Sequence, residues 1–255
     1  MSYFHAIIIG IVQGITEFLP ISSTGHMILT AELLKIKSSA FLTSFEIIIQ
    51  LGSILAVVFL YWKKLFSGIE IWKKIIVAFL PSVIFGFIFY PFIKKMLEGN
   101  TTVLWSLFLG GIILIIFELY HKEKAGDVDE IEKISYGQAV KIGLFQCIAM
   151  IPGVSRSAAT IVGGLTQGLK RQTIVEFSFL LAVPTMCAAT GLDLLKNVSS
   201  FNLNQAGILF VGFITAFLVA ILGIKFLLSI VKKYTFVGFG IYRIIVAVLF
   251  WILVK

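Results

Sequence analysis

Gln13-Gly14-Ile15-Thr16-Glu17-Phe18-Leu19-Pro20-Ile21-Ser22-Ser23-Thr24-Gly25-His26 and Gln146-Cys147-Ile148-Ala149-Met150-Ile151-Pro152-Gly153-Val154-Ser155-Arg156-Ser157-Ala158-Ala159-Thr160 are two polar strings set in an oily chain. Each runs from Gln through apolar residues to Pro, then into Ser, Thr and Gly. One carries a carboxylate and an imidazole, the other a guanidinium. Such groups are costly in hydrocarbon, so their presence at membrane depth points to a functional site.

The surrounding composition sets that depth. The chain has 255 residues, is 59% hydrophobic and has a mean hydropathy of +1.03. That excludes an ordinary soluble domain and describes a polytopic, all-α membrane protein. The net charge of +8 does not imply nucleic acid. Its lysines sit in short gaps between apolar runs, often as pairs, as orienting charges and contacts to anionic membrane lipids do. Cys147 and Cys187 lie in apolar segments and read as core packing residues, not as a disulfide. The first Lys is Lys35, and the opening segment contains Gln13 and Glu17, so a cleaved signal peptide is not expected.

Six apolar runs are long enough to span a bilayer, at roughly 41–62, 75–93, 102–120, 174–195, 207–229 and 236–254. Two further regions, 4–31 and 137–166, are broken in the middle by Pro20 and Pro152. Proline ends a hydrogen-bond ladder and Ser or Thr caps a new helix, so each region reads as a re-entrant helical hairpin. Gln13 and Gln146 are 133 positions apart, and Phe45 and Phe177, which open the next runs, are 132 apart. The order hairpin, three spans, hairpin, three spans predicts an inverted-topology repeat in a single integral domain. Repeat 1 covers about 1–120, a solvated connector about 121–136, and repeat 2 about 137–255.

The loop charges predict an orientation. Lys63, Lys64, Lys73, Lys74, Lys122, Lys124, Lys133, Lys141, Lys170, Arg171, Lys232 and Lys233 gather on one side, which the positive-inside rule makes cytoplasmic. Lys35, Lys37, Lys94, Lys95, Lys196 and Lys255 gather on the other. Glu46, Glu118, Glu176 and Asp193 fall near span ends and read as interfacial; Lys225 can snorkel. Arg243 lies inside the last span and should pair with a carboxylate or face a cavity.

The chemistry is concentrated at the hairpin breaks. Gln13 and Glu17 share a helix face, flanked by Gly10 and Gly14, which permit close helix approach. That face is either a packing seam or a polar wall whose carboxylate binds a divalent cation or takes a proton. Ser22, Ser23 and Thr24 supply more hydroxyls than a cap needs, and hydroxyls and N–H groups at a half-helix start form an anion cradle. His26 can carry protons or be a hydrogen-bonded core residue. Gly153 lets backbone approach a ligand, Ser155 and Ser157 add donors, and Thr160 shares a face with Arg156. The Arg156 fork suits phosphate; its structural alternative is a buried salt bridge to Glu17. Together the two tips make a phosphate or diphosphate site reached from the membrane.

These strings resemble the undecaprenyl-diphosphate phosphatases of the bacitracin-resistance family, over the whole chain. The family's Glu/Gln-x-x-x-Glu motif corresponds to Gln13 and Glu17. It continues through Phe-Leu-Pro-x-Ser-Ser-Thr-Gly-His at Phe18 to His26, and Pro-Gly-x-Ser-Arg-Ser-x-x-Thr runs from Pro152 to Thr160. Gln at the first position is allowed by the family's pattern and leaves one carboxylate fewer for metal binding.

The resemblance implies hydrolysis of undecaprenyl diphosphate to undecaprenyl phosphate and inorganic phosphate, recycling the lipid carrier for peptidoglycan synthesis and conferring bacitracin resistance. It implies a plasma-membrane enzyme whose site faces outward, a polyprenyl diphosphate substrate, and a divalent cation, Mg or Ca, held by Gln13 and Glu17. A homodimer is compatible with it. Glu17, Ser23, His26 and Arg156 are the expected catalytic residues, with Ser23 as nucleophile and His26 as base. Ser22, Thr24, Gly153, Ser155, Ser157 and Thr160 are the expected phosphate binders. Inverted repeats with broken helices also suit a lipid-phosphate flippase or secondary anion transporter, the competing reading.

Overall fold

The computed structural model describes residues 1–37, 39–66, 68–96, 100–197 and 205–253. Among them are ten α-helices and no strand longer than an isolated bridge. The first half holds α1 (Tyr3–Thr16), α2 (Ser23–Leu33), α3 (Ala40–Leu65), α4 (Ile69–Met96) and α5 (Asn100–Tyr120). The second holds α6 (Tyr136–Ile148), α7 (Arg156–Thr166), α8 (Arg171–Asn197), α9 (Ala206–Val231) and α10 (Val237–Leu253).

Five of these, in α3, α4, α5, α8 and α9, are long and apolar enough to cross a membrane; α10, expected as a sixth span, has 17 residues and falls short by length. The molecule wears its apolar side chains outward: Phe59, Phe87, Leu109, Ile113, Leu222 and Ile252 are all exposed, while Gln13, Glu17, Ser53, Gln146 and Arg243 are buried. That inversion is what a hydrocarbon solvent selects. This is a multi-pass membrane protein.

Both expected breaks are present. α1 and α2 pack on each other across residues 17–22, and α6 and α7 across 149–155. Each second limb starts with a serine cap, Ser22 accepting from Gly25 N and Ser155 from Ala158 N, at positions 133 apart. The halves also exchange partners. α1 packs chiefly on α9 and α6 on α4, while α5 packs on α10 and α3 on α8. Small residues make the exchanges possible. A Cβ on Gly14 would stand 2.8 Å from the Ala216 carbonyl of α9, and one on Gly143 would strike the Ala78 carbonyl of α4. The seam expected at Gly10 and Gly14 is therefore real, and its partner is α9.

Most of the connector is exposed, but two of its residues are buried. Ile131 and Ile134, flanking a short 3-10 turn, are buried in the main core with Ile71, Ile75 and Ile142. Val128 pairs with the 168–170 segment, its N–H donating to the Gly168 carbonyl at 2.8 Å. Two apolar residues in a polar stretch are enough to plug the loop into the core.

Several of the cations expected on one side are held in ion pairs. Lys64 pairs with Glu176 at 3.0 Å, Arg171 with Glu118 at 2.7 Å and Glu123 at 3.1 Å, and Lys133 with Asp129 and Glu130 at 3.3 and 2.9 Å. Lys133 beside Asp129 holds that exposed carboxyl below its ordinary range. Glu118 falls near the end of its span, as expected, and is buried there against Arg171. The cysteines are not core residues; Cys147 is half-buried and Cys187 exposed, both as free thiols. The side chains of Lys94, Lys95, Asp193, Lys196 and Lys255 lie outside the described residues.

Candidate active site

The two breaks meet. Four successive residues of the first, Glu17 to Pro20, are each engaged from the second half. Arg156 Nη2 donates to Glu17 Oε1 at 3.1 Å, Ser157 Oγ to the Phe18 carbonyl at 2.7 Å, and Ser155 Oγ to the Leu19 carbonyl at 3.4 Å. Arg243 Nη1 donates to the Pro20 carbonyl at 3.3 Å. The tips thus form one interlocked polar knot inside an apolar shell.

A cavity of about 240 Å³ opens beside the knot. Its polar wall includes Glu17, Ser23, Thr24 and Arg156 from the expected set. Ser23 Oγ donates to Glu17 Oε2 at 2.7 Å, and Gln13 Nε2 donates to the same oxygen at 2.9 Å. Arg156 Nη1 donates to the Ser178 carbonyl at 2.9 Å, while its buried Nε has no partner among the described residues. Guanidinium, carboxylate and hydroxyl therefore stand in one chain, Arg156–Glu17–Ser23, with a free N–H left on the cation.

Several expected phosphate binders do other work. Ser22 and Ser155 line the cavity, but their hydroxyls accept from the first turns of α2 and α7. Ser157 does not line it; its hydroxyl is on the Phe18 carbonyl. Thr160 is fully buried and shares a 2.6 Å hydrogen bond with Ser178, bracing the residue that holds Arg156. Gly153 does approach backbone closely, but the backbone is that of α5. A Cβ there would lie 2.6 Å from the Val103 carbonyl, and its φ of +88° is one that L side chains avoid. Thr24 is the expected binder whose hydroxyl has no partner among the described residues.

His26 stands apart from the cavity lining. Its Nδ1 is 2.8 Å from the Ser22 carbonyl, which can only accept, so Nδ1 carries the proton. Nε2 of the neutral ring then accepts from the Tyr242 hydroxyl at 3.0 Å. Ser23 has its hydrogen bond to Glu17 instead, so the expected hydroxyl–imidazole pair is not formed here.

Gln50, Ser82, Gln146 and Thr185 complete the polar lining and were not among the expected site residues. Gln146 donates to Ser82 at 2.6 Å, as Gln13 donates to Ser53 at 3.4 Å, and both glutamines keep a buried carbonyl oxygen without a hydrogen-bond partner. The available signal was the isolated polar residue in an apolar span, which sequence alone does not place on an inner face.

No group of three His, Cys, Asp or Glu residues that could hold a metal occurs among the described residues. Glu17 is the lone carboxylate of the lining, and both its oxygens are engaged. A preformed protein cage, which Mg or Ca would need to fill most of its six or more oxygen positions, is not present there. Gln13, the other expected metal ligand, does not line the cavity; it turns its Nε2 to Glu17 and keeps a buried carbonyl oxygen without a hydrogen-bond partner.

Two apolar grooves flank the second break. One, of about 610 Å³, runs between α5 and α7 past Trp105, Ile113 and Val162. The other, of about 310 Å³, runs past Phe85, Phe89 and Phe92 of α4. Val154 borders both the polar cavity and the first groove, and Met150 borders the cavity and the second.

Residues 6–249 match the family described as bacitracin resistance protein BacA. A protein of Wolinella succinogenes named undecaprenyl-diphosphatase is 51% identical over 250 residues, covering 98% of this chain and 97% of its own. Proteins of the same name from Aquifex aeolicus and Campylobacter jejuni are 51% and 49% identical; the alignments cover 98% and 99% of this chain and 98% and 95% of theirs. The matched span takes in both breaks and every residue of the cavity wall, so this chain belongs to the bacitracin resistance protein BacA family.

Proposed function

We propose that this protein removes the terminal phosphate of undecaprenyl diphosphate, releasing inorganic phosphate and returning undecaprenyl phosphate to peptidoglycan synthesis, and thereby confers bacitracin resistance. The observation that carries the reading is the Arg156–Glu17–Ser23 chain across the two breaks. It joins a phosphate-binding cation, a proton acceptor and a hydroxyl in one cavity walled by apolar grooves. The relatives bear the name of this hydrolase. The carrier reading has no comparable observation.

Phosphoryl transfer needs charge neutralised on the equatorial oxygens and the nucleophile held in line. Arg156 lines the cavity and keeps a buried Nε–H without a partner among the described residues, and α2 and α7 begin at Ser23 and Arg156 of that lining, where helix starts favour an anion. Ser23 Oγ attacks the terminal phosphorus as its proton passes to Glu17 Oε2. The new Oγ–P bond replaces the bond to the bridging oxygen, and the lipid monophosphate leaves as an anion. Glu17, once that proton has passed to solvent, takes a proton from water; the resulting hydroxide attacks phosphorus, the Oγ–P bond breaks, the proton returns from Glu17 to Ser23 Oγ, and inorganic phosphate leaves. In the alternative route Glu17 activates water directly and Ser23 only orients it. Glu17, not His26, is the base in either, because it is the acceptor that Ser23 reaches. His26 buttresses the Ser22 turn.

A divalent cation would be held by Glu17, with the Gln13 carbonyl oxygen and oxygens of the diphosphate itself, and would neutralise phosphate charge. The sparse protein donor set suits an ion that arrives with the substrate.

The partner exchange of the halves, with caps at Ser22 and Ser155, supports two interlocked re-entrant hairpins in an inverted repeat that forms one domain. The charged face around Lys64, Arg171 and Lys133 supports a cytoplasmic location for it, with the catalytic cavity open to the outer side of the plasma membrane. The apolar grooves bordering Val154 and Met150 suit the isoprenoid tail.

The test is phosphate release from undecaprenyl diphosphate by purified protein in detergent, with and without chelator. Release that a chelator abolishes and Mg or Ca restores supports both the hydrolysis and the ion. No release from folded protein under several cations defeats the reading. Labelled phosphate trapped on the protein, and lost in Ser23→Ala, selects the covalent route; sustained turnover by Ser23→Ala eliminates it.

A further inference from the structure

Arg243 is the largest fully buried side chain among the described residues, 1% exposed. A guanidinium inside a membrane span is costly without a counter-ion. Its place in the last span predicts a carboxylate partner or a cavity. It does border the α5–α7 groove, but its hydrogen-bond partners are carbonyls. Nε donates to Leu107 at 3.3 Å, and Nη2 to Ser106 at 2.9 Å and Gly153 at 3.4 Å, while Nη1 donates to Pro20 at 3.3 Å.

The identity of two of those carbonyls matters. Pro20 and Gly153 lie outside helices, one in each break, and are 133 positions apart, the offset of the internal repeat. Each precedes the first residue of its following helix by three positions: Pro20 leads to Ser23, and Gly153 to Arg156. One planar fork therefore grips both turns at corresponding points, while the α5 carbonyls of Ser106 and Leu107 fix the fork itself. Simple packing could be met by an apolar side chain. A rigid fork that reaches three elements is what Arg supplies and Lys does not. The neighbouring helix makes room for it, since a Cβ on Gly110 would collide with the guanidinium.

We infer that Arg243 is a positioning residue: by holding the Pro20 and Gly153 carbonyls it sets the spacing between Ser23 and Arg156 at which phosphate is transferred. The inference rests on the phosphatase reading for its kinetic consequence, though not for its geometric one.

Two variants test it. Arg243→Lys keeps the charge and loses the fork. Gly110→Ala keeps the arginine and pushes the fork off its carbonyls. Each should lower kcat for phosphate release by at least about 10-fold, toward the ~100-fold that a misplacement of about 1 Å can cost. KM should stay within about 3-fold, because Arg156 still binds the diphosphate. The double variant should be no slower than the worse single one, since both act on one contact. A geometric arm runs without substrate: nitroxides at Ile15 and Ile148, exposed residues in the last turns of the limbs before each break, in a background of Cys147→Ser and Cys187→Ser. Pulsed electron resonance should give one narrow distance in the parent and a broad one in both variants.

Unchanged kcat in folded variants overturns the inference, as does a loss confined to KM or a loss that multiplies in the double variant. Should Arg243→Lys fail to fold, Gly110→Ala decides alone. Should the parent itself release no phosphate, the phosphatase reading falls, and the distance arm still judges the clamp: a narrow distance in the variants removes it.

Discussion

The two breaks share a scaffold and differ in chemistry at single corresponding positions. Ser22 and Ser155 both cap the helix that follows, and Pro20 and Gly153 both give their carbonyls to Arg243. The next residue after each cap diverges: Ser23 in the first break, Arg156 in the second. Two corresponding turns thus present the proposed nucleophile from one and the proposed phosphate-binding cation from the other, across a shared cavity. The strain differs as well. The positive-φ residue of the first break is Ser22, at 71°, and that of the second is Gly153, at 88°. A left-handed backbone is free for glycine and costly for serine. The turn that carries the proposed nucleophile is the strained one.

The largest expected effects come from removing either side of that division. Arg156→Ala leaves Glu17 buried without its cation and the diphosphate without its fork; Glu17→Ala removes the acceptor for Ser23. Each should lower phosphate release by at least about 100-fold, the scale of losing a key charge in a transition state. Arg156→Lys should not restore it, because one ammonium cannot serve both Ser178 and Glu17 in the fork's geometry. Near-full turnover by folded Arg156→Ala, measured as phosphate release, would break the comparison at its centre. Gln13→Ala, which loses one neutral donor to Glu17, should be milder in the same assay.

Next in size is a stability difference between the turns. Gly153→Ala meets both a positive φ and the Val103 carbonyl, and should destabilise the fold by about 2 kcal/mol or more. The corresponding Pro20→Ala keeps an ordinary backbone region and the carbonyl that Arg243 uses, and should cost under about 1 kcal/mol. Thermal unfolding of the two variants in detergent reads the difference, and equal losses would mean that the turns are not structurally distinct.

Much of this was legible in the chain. The breaks at Pro20 and Pro152, their caps and the Gly10–Gly14 seam follow from local rules that tertiary context did not override. Bringing Glu17, Ser23 and Arg156 together followed from duplication and from the cost of charge in hydrocarbon. What was not legible is how hydroxyls are apportioned. Ser157, Thr160 and Thr24 look alike in the motifs, yet Ser157 ties the tips, Thr160 braces Ser178, and Thr24 faces the cavity. That depends on which polar group of another element arrives within hydrogen-bonding distance, and periodicity carries no such information. The same holds for His26, whose partner Tyr242 is 216 positions away, and for the connector, where two isoleucines in an acidic loop give no pattern to read.

The hydroxyls supply the third comparison. Ser157→Ala removes a buried bond between tips and leaves the Phe18 carbonyl without that donor, which should cost about 1 kcal/mol of stability. Thr24→Ala touches no hydrogen bond among the described residues and lines the cavity, so it should leave unfolding unchanged and raise KM by about 3- to 10-fold. The reverse pattern, with Thr24→Ala unfolding early and Ser157→Ala raising KM, would exchange their assigned places.

The smallest effect tests whether the strain in the first turn matters to the chemistry. Ser22→Gly relieves a positive φ at a loss of one cap hydroxyl, and glycine caps cost only a few tenths of a kcal/mol. The relief, about 1 kcal/mol, should win, so the variant should unfold slightly later than the parent. It should also turn over more slowly. The Ser22 carbonyl accepts from both the His26 backbone N–H and Nδ1, at 3.2 and 2.8 Å, and a freer glycine holds that carbonyl, and with it the neighbouring Ser23, less firmly. Greater stability with lower kcat would show that the first turn is held in a costly conformation for its reacting hydroxyl. Greater stability with unchanged kcat would leave the strain as a by-product of packing the cap, and the difference between the two turns would then lie in Ser23 and Arg156 alone.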